Sequence, residues 1–174
     1  MTVKEMHPAY AESYHVSENK SKAENIFFAF EEDFVEDNVR CIPMIVRFKL
    51  DACGIKLKLN EWSKMSLDER NNLTEMPCTQ KGDVVQYRNY LLWVIMKRAG
   101  VKATDLPVES NPLWANVDVL PAVLSERLIE FNWRVSVQQW RSLSNLQRFA
   151  LMKLCKPGHE NKNFPKAVKE FGLV

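Results

Sequence analysis

The chain has 174 residues, 46% of them apolar, with five glycines, eight prolines and a formal net charge of +2. That composition supports a packed core and excludes a fibrous or loop-rich protein. The near-neutral balance excludes a global field of the kind that drives nucleic-acid binding, and the apolar run 90–96 is far too short to cross a bilayer.

Taken in chain order, residues 1–24 are polar, with scattered Glu, Ser and Lys, and read as a disordered tail. Residues 25–174 read as a single helical domain. The start lacks a basic stretch followed by an apolar one, and the four cysteines form no CxxC pair, so a cytoplasmic protein with reduced thiols is expected. Residues 1–40 carry four Lys/Arg against nine Asp/Glu, whereas the remainder is net basic, so the acidic arm either rests on the body or is simply solvated. Phe27, Phe28, Phe30 and Phe34 are expected to dock their segment as a short strand or a helical turn.

The most informative pattern beyond this point is a self-match at an offset of 78 residues, without a gap over residues 42–76. It aligns Pro43 with Pro121, Leu50 with Leu128, Trp62 with Trp140, Ser66 with Ser144, Arg70 with Arg148 and Leu73 with Leu151. The fold class expected from it is all-α, with two copies of a helix–connector–helix–helix unit. The first copy spans about residues 42–99, a linker about 100–119 and the second copy about 120–174. Each copy opens with a proline suited to a helix start. Gly54 and its counterpart Asn132 suit the left-handed residue that closes a helix. Residues 55–59 and 133–137 alternate apolar and polar side chains and predict extended connectors, with a small strand pair between the copies. Ser66-Leu-Asp-Glu69 and Ser144-Asn-Leu-Gln147 are capping boxes that open the next helices. The longest helix is predicted over 82–99, closed by Gly100. Its counterpart is a shorter segment, 164–171. Pro107, Asn111 and Pro112 mark an irregular linker anchored by Trp114.

Chemistry is sparse. Of three histidines, His7 and His15 fall in the tail, and no nucleophile elbow, HExxH, Walker loop or GxGxxG occurs. The reading is therefore not an enzyme, with no resident cofactor. The richest segment is 40–59, where Arg47, Lys49, Lys56 and Lys58 face one acid, Asp51. Lys56 and Lys58 share one face if this stretch is extended, and would then meet a phosphate, a carboxylate cluster or an acidic partner. The alternative is a charged edge that protects a short strand from aggregation. Cys41, Cys53 and Cys78, with Cys155 and His159 as completing ligands, are candidates for a cluster or metal site, or for a transient redox role, or else are packed as small apolar groups. His159, Glu160, Asn163 and Phe164 form a candidate binding loop, or a turn capping the last helix.

These segments resemble a known family. Arg40-Cys-Ile-Pro-Met44, Lys49-Leu-Asp-x-Cys-Gly-Ile-Lys-Leu-Lys-Leu59 and Pro77-Cys78 look like its first-half motifs. Leu146-Gln-Arg-Phe-Ala-Leu151, His159-Glu-Asn-x-Asn-Phe164 and Lys169-Glu-Phe-Gly-Leu173 look like its second half. The chain is similar to the nitrate reductase-associated proteins over about residues 26–174. The resemblance implies an accessory role in producing active assimilatory nitrate reductase, with the reductase apoprotein as partner. Arg47, Lys49, Lys56, Lys58 and the 159–164 loop are then the expected contact surface. The alternative is a carrier of an iron–sulfur cluster, a metal or the molybdenum cofactor built on Cys41, Cys53 and Cys78, or on phosphate contacts from the basic groups.

Overall fold

The computed structural model describes residues 27–31, 41–156 and 162–174. The tail, the acidic residues after Glu31, and His159 and Glu160 lie outside the described residues.

The described chain is mostly helical: α1 (Met44–Cys53), α2 (Leu59–Trp62), α3 (Leu67–Glu75), α4 (Lys81–Ala99), α5 (Ala122–Ile129), α6 (Val137–Ser142), α7 (Asn145–Leu154) and α8 (Phe164–Glu170). Strands β1 (Ile55–Lys56) and β2 (Thr104–Asp105) form a two-stranded antiparallel sheet. Three helix starts, Met44/Ala122, Leu59/Val137 and Leu67/Asn145, recur at the 78-residue offset. The series diverges afterwards, because α4 has 19 residues and α8 only 7.

Local chemistry explains these boundaries. Pro43 and Pro121 sit at the N-cap positions of α1 and α5, just outside the first turn. Gly54 closes α1 at φ 66°, its N–H bonding the Leu50 carbonyl. Asn132 adopts φ 58° after α5, where Trp133 N–H reaches back to the Leu128 carbonyl at 3.0 Å. Both capping boxes form. Ser66 Oγ accepts from Glu69 N–H while the Glu69 carboxylate accepts from Ser66 N–H, and Ser144 and Gln147 do the same. A third box, Ser136 with Gln139, opens α6.

The expected strand pair between residues 55–59 and 133–137 is corrected. Ile55 and Lys56 pair with Asp105 and Thr104 of the linker instead. The 19 residues of α4 carry the chain back to the end of α1, so the linker is the nearest backbone available. Trp133 and Val135 instead turn partly buried side chains onto a helical core.

Two apolar clusters hold the fold. One is built from Trp62, Leu73, Tyr87, Leu91, Val94 and Ile95, the other from Trp140, Phe149, Leu151, Leu154, Phe164 and Val168. Trp62 and Trp140 are both 0% exposed. Helix α1 serves both clusters. Val46, Leu50 and Cys53, spaced one turn apart, face the first, while Met44 and Phe48 face the second. Each such Leu or Met contributes about 1.5–3 kcal/mol over an exposed position.

The 3-10 turn Ala29–Glu31 docks on both α8 and α1. The Glu170 carboxylate accepts from the N–H groups of Ala29 and Phe30, at 2.8 and 3.0 Å. The Glu31 carboxylate accepts from Met44 N–H at 2.8 Å and so caps α1, whose proline cannot. Phe28 and Phe30 pack on Phe171, so these two dock in the helical-turn form, and Phe34 lies outside the described residues.

Candidate functional site

A half-open groove of about 760 Å³ runs between the two clusters. Its floor is Phe48 and Ala52 of α1, with Trp114 from the linker. The rings of Phe48 and Trp114 lie 5.1 Å apart and both pack on Phe149. Thr79 and Val84 line one end, and Ser144, Asn145 and Leu146 at the start of α7 line another. Asp51 of α1 and Lys153 of α7 cross the groove as an ion pair at 2.8 Å.

The remaining wall is residues 106–109, with Pro112 beyond them. This wall is tied down at both ends. At one end Leu106 N–H bonds the Gly54 carbonyl at 2.9 Å. There Arg88 donates to the Cys53 carbonyl at 2.7 Å and pairs with Asp105. Gly54 is required, because a Cβ there would fall 2.7 Å from the Leu106 carbonyl oxygen and 2.9 Å from Val108 Cγ2. At the other end Arg148 Nε donates to the Trp114 carbonyl at 2.8 Å, and Trp140 Nε1 donates to the Asn116 carbonyl at 2.9 Å. Between these anchors Leu106, Val108 and Leu113 stand exposed, Val108 by 57%.

The structure distributes the sequence-derived candidates unevenly. Lys49 is not a surface cation. It is 6% exposed, and its Nζ donates to the carbonyls of Thr74 and Met76 at the end of α3, each at 2.6 Å. Burial pushes its ammonium down to about 8. Its place on α1, one turn from Val46 and Cys53, turns it inward. Phe164 is likewise a core residue, fully buried in the second cluster, because it opens α8 just before Pro165, on the face that Ala167 and Val168 also bury. Arg47 is half-buried, its Nε donating to the Ile42 carbonyl at 2.8 Å. Asn163 is the N-cap of α8, without a side-chain cap bond. Lys56 is exposed, and Lys58 is exposed beside Glu61, its Nζ 3.7 Å away.

The cysteines do not assemble a ligand set among the described residues, where no group of three or more His, Cys, Asp or Glu is placed to hold a metal ion. Cys53 and Cys78 are buried, and burial pushes their thiols up to about 12 and 11. Cys155 is pushed up to about 12 for the same reason, and Cys41 is half-buried. The thiols of Cys53, Cys78 and Cys155 therefore stay protonated near neutral pH and are poor nucleophiles and ligands.

The groove itself escapes motif reading. Its lining comes from α1, the α3–α4 turn, the linker and α7, and no single segment of it has a distinctive spacing. The available signal was the proline-bracketed linker with one tryptophan, 107–114. A family model described as conserved nitrate reductase-associated protein matches residues 27–171. Neither the curated proteins nor the solved structures contain a match to the chain.

Proposed function

Because the chain belongs to the conserved nitrate reductase-associated protein family, we propose that it is a non-catalytic accessory protein that binds the nitrate reductase polypeptide and helps bring it to its active form in the cytoplasm. The observation that carries this reading is the family match over residues 27–171. The geometry supports it in two ways. The groove is open, largely apolar and anchored at both ends, which suits the capture of another chain rather than the enclosure of a reaction. The buried charged groups are also engaged in architecture. Glu31 and Lys49 satisfy helix ends, Glu69 pairs with Lys97 and Arg98, and Arg148 holds the linker. No helix among the described residues is long and apolar enough to cross a membrane.

Lys56 and Lys58 are the surface cations that remain from the basic segment. Lys56 sits on β1, whose partner strand runs straight into the groove wall at Leu106. In this reading they steer an approaching acidic region of the reductase, raising capture rate more than affinity. The test is co-purification of the tagged chain with the reductase polypeptide, with metal analysis of the eluate and assay of reductase activity with and without the chain. Stoichiometric co-purification and a gain in activity are expected. Absence of a complex overturns the reading, and bound iron or molybdenum on the chain replaces it with the carrier function.

A further inference from the structure

We propose that the groove takes an extended apolar segment of the reductase polypeptide that carries a lysine or arginine beside its apolar residues. This deepens the binding function proposed above and rests on it.

Three observations specify the occupant. The first is backbone without a partner among the described residues. The wall residues Val108 and Glu109 follow β2, yet no hydrogen bond among the described residues engages their N–H or C=O groups. An extended chain laid along them satisfies those groups by adding a strand, a mode in which main-chain bonds supply affinity and flanking pockets supply selectivity. The second is the apolar surface. Phe48, Ala52 and Trp114 form a floor, and Leu106 and Val108 form an exposed rim, so alternate side chains of an entering strand meet apolar surface. The third is charge. Lys153 is already paired with Asp51 across the groove, whereas Glu109 makes no ion pair among the described residues. The unbalanced charge of the site is negative, so a basic residue is favoured and an acidic one is repelled. Anchoring of the wall at Gly54 and at Trp114 means that little of it must be ordered on binding.

The experiment probes the full chain with the purified reductase apoprotein and with overlapping peptides that cover the reductase sequence. Three variants accompany the wild type: Val108→Asp, Glu109→Lys and, as a control at an exposed position outside the groove lining, Lys64→Glu. Val108 and Glu109 are exposed, so both variants should fold, and circular dichroism checks this. The expected result is that binding peptides combine apolar residues with Lys or Arg. Val108→Asp and Glu109→Lys should each weaken apoprotein binding about ten-fold or more, as truncation of a central contact does. Glu109→Lys should recover a peptide whose basic residue has been changed to Glu. If the wild type binds apoprotein and both groove variants bind it equally well, the groove assignment falls while the accessory function stands. If the wild type binds no apoprotein, both fall. Selection of acidic peptides overturns the charge argument. A self-dimer by size-exclusion chromatography that Val108→Asp dissociates makes a second copy of this chain the occupant and overturns the proposal.

Discussion

Lys49 Nζ lies 2.6 Å from the carbonyl oxygen of Met76, so a side chain of α1 closes the end of α3. The same nitrogen reaches the Thr74 carbonyl at 2.6 Å, and Tyr87 Oη donates to the Leu73 carbonyl at 3.1 Å. The last turn of α3 is thereby satisfied by two other helices rather than by water. Lys49→Met keeps the stem but leaves two buried carbonyls unpaired, at a cost of about 2–3 kcal/mol. Lys56→Glu, on the exposed strand, should stay within about 0.5 kcal/mol of wild type. Denaturant midpoints of the two variants check the contrast, and equal midpoints would show that Lys49 does not close α3.

Gly54 and Gly100 both hold φ 66° at the ends of helices, but only Gly54 has the groove wall against it. Gly100→Ala should cost about 1–2 kcal/mol, the ordinary penalty of a left-handed alanine. Gly54→Ala should cost more, because its Cβ meets the Leu106 carbonyl oxygen at 2.7 Å and the wall must move. Thermal unfolding measures the difference. Reductase co-purification should weaken for Gly54→Ala and not for Gly100→Ala.

Glu170 bonds the backbone of Ala29 and Phe30 and thereby ties the 3-10 turn to α8. Glu170→Ala should release that turn at a cost of about 1–2 kcal/mol. Hydrogen exchange should accelerate at Ala29 and Phe30 while the amides of α4 keep their protection. Unchanged exchange at Ala29 and Phe30 would mean that the phenylalanine packing alone holds the segment.

The thiols give a signed pH dependence. Burial holds Cys53, Cys78 and Cys155 protonated up to about 12, 11 and 12, against an ordinary value of 9.0. In the unfolded chain they ionise first, so the folded state holds more protons above pH 9. Their stabilising contribution is complete below that value and is lost as pH rises toward 11–12. Lys49 works in the opposite sense, since its ammonium is pushed down to about 8, and one amine offsets only part of three thiols. Denaturation midpoints should fall between pH 9 and 11. Iodoacetamide at pH 8 should leave Cys53, Cys78 and Cys155 largely unmodified in the native protein and alkylate them in denaturant, as read by peptide mass spectrometry.

What the sequence determined is local. Ser66 and Ser144 with their i+3 partners, Gly54 and Asn132 at left-handed positions, and apolar residues one turn apart on α4 are decided by hydrogen bonds and dihedral preferences within a few residues. They are legible without a third dimension. The family resemblance was legible for the same reason, since its motifs are contiguous. Tertiary structure alone decided which side of α1 each charge occupies, and so turned Lys49 inward onto the end of α3 while Asp51 faced Lys153. It decided that Ile55 and Lys56 pair with the linker rather than with the second connector. It also decided the groove, where Phe48, Val108, Trp114 and Asn145 meet across nearly a hundred residues of chain. Those outcomes depend on how the two apolar clusters pack around one shared helix, and burial of that kind is set by neighbours distant in sequence, not by any pattern within a segment.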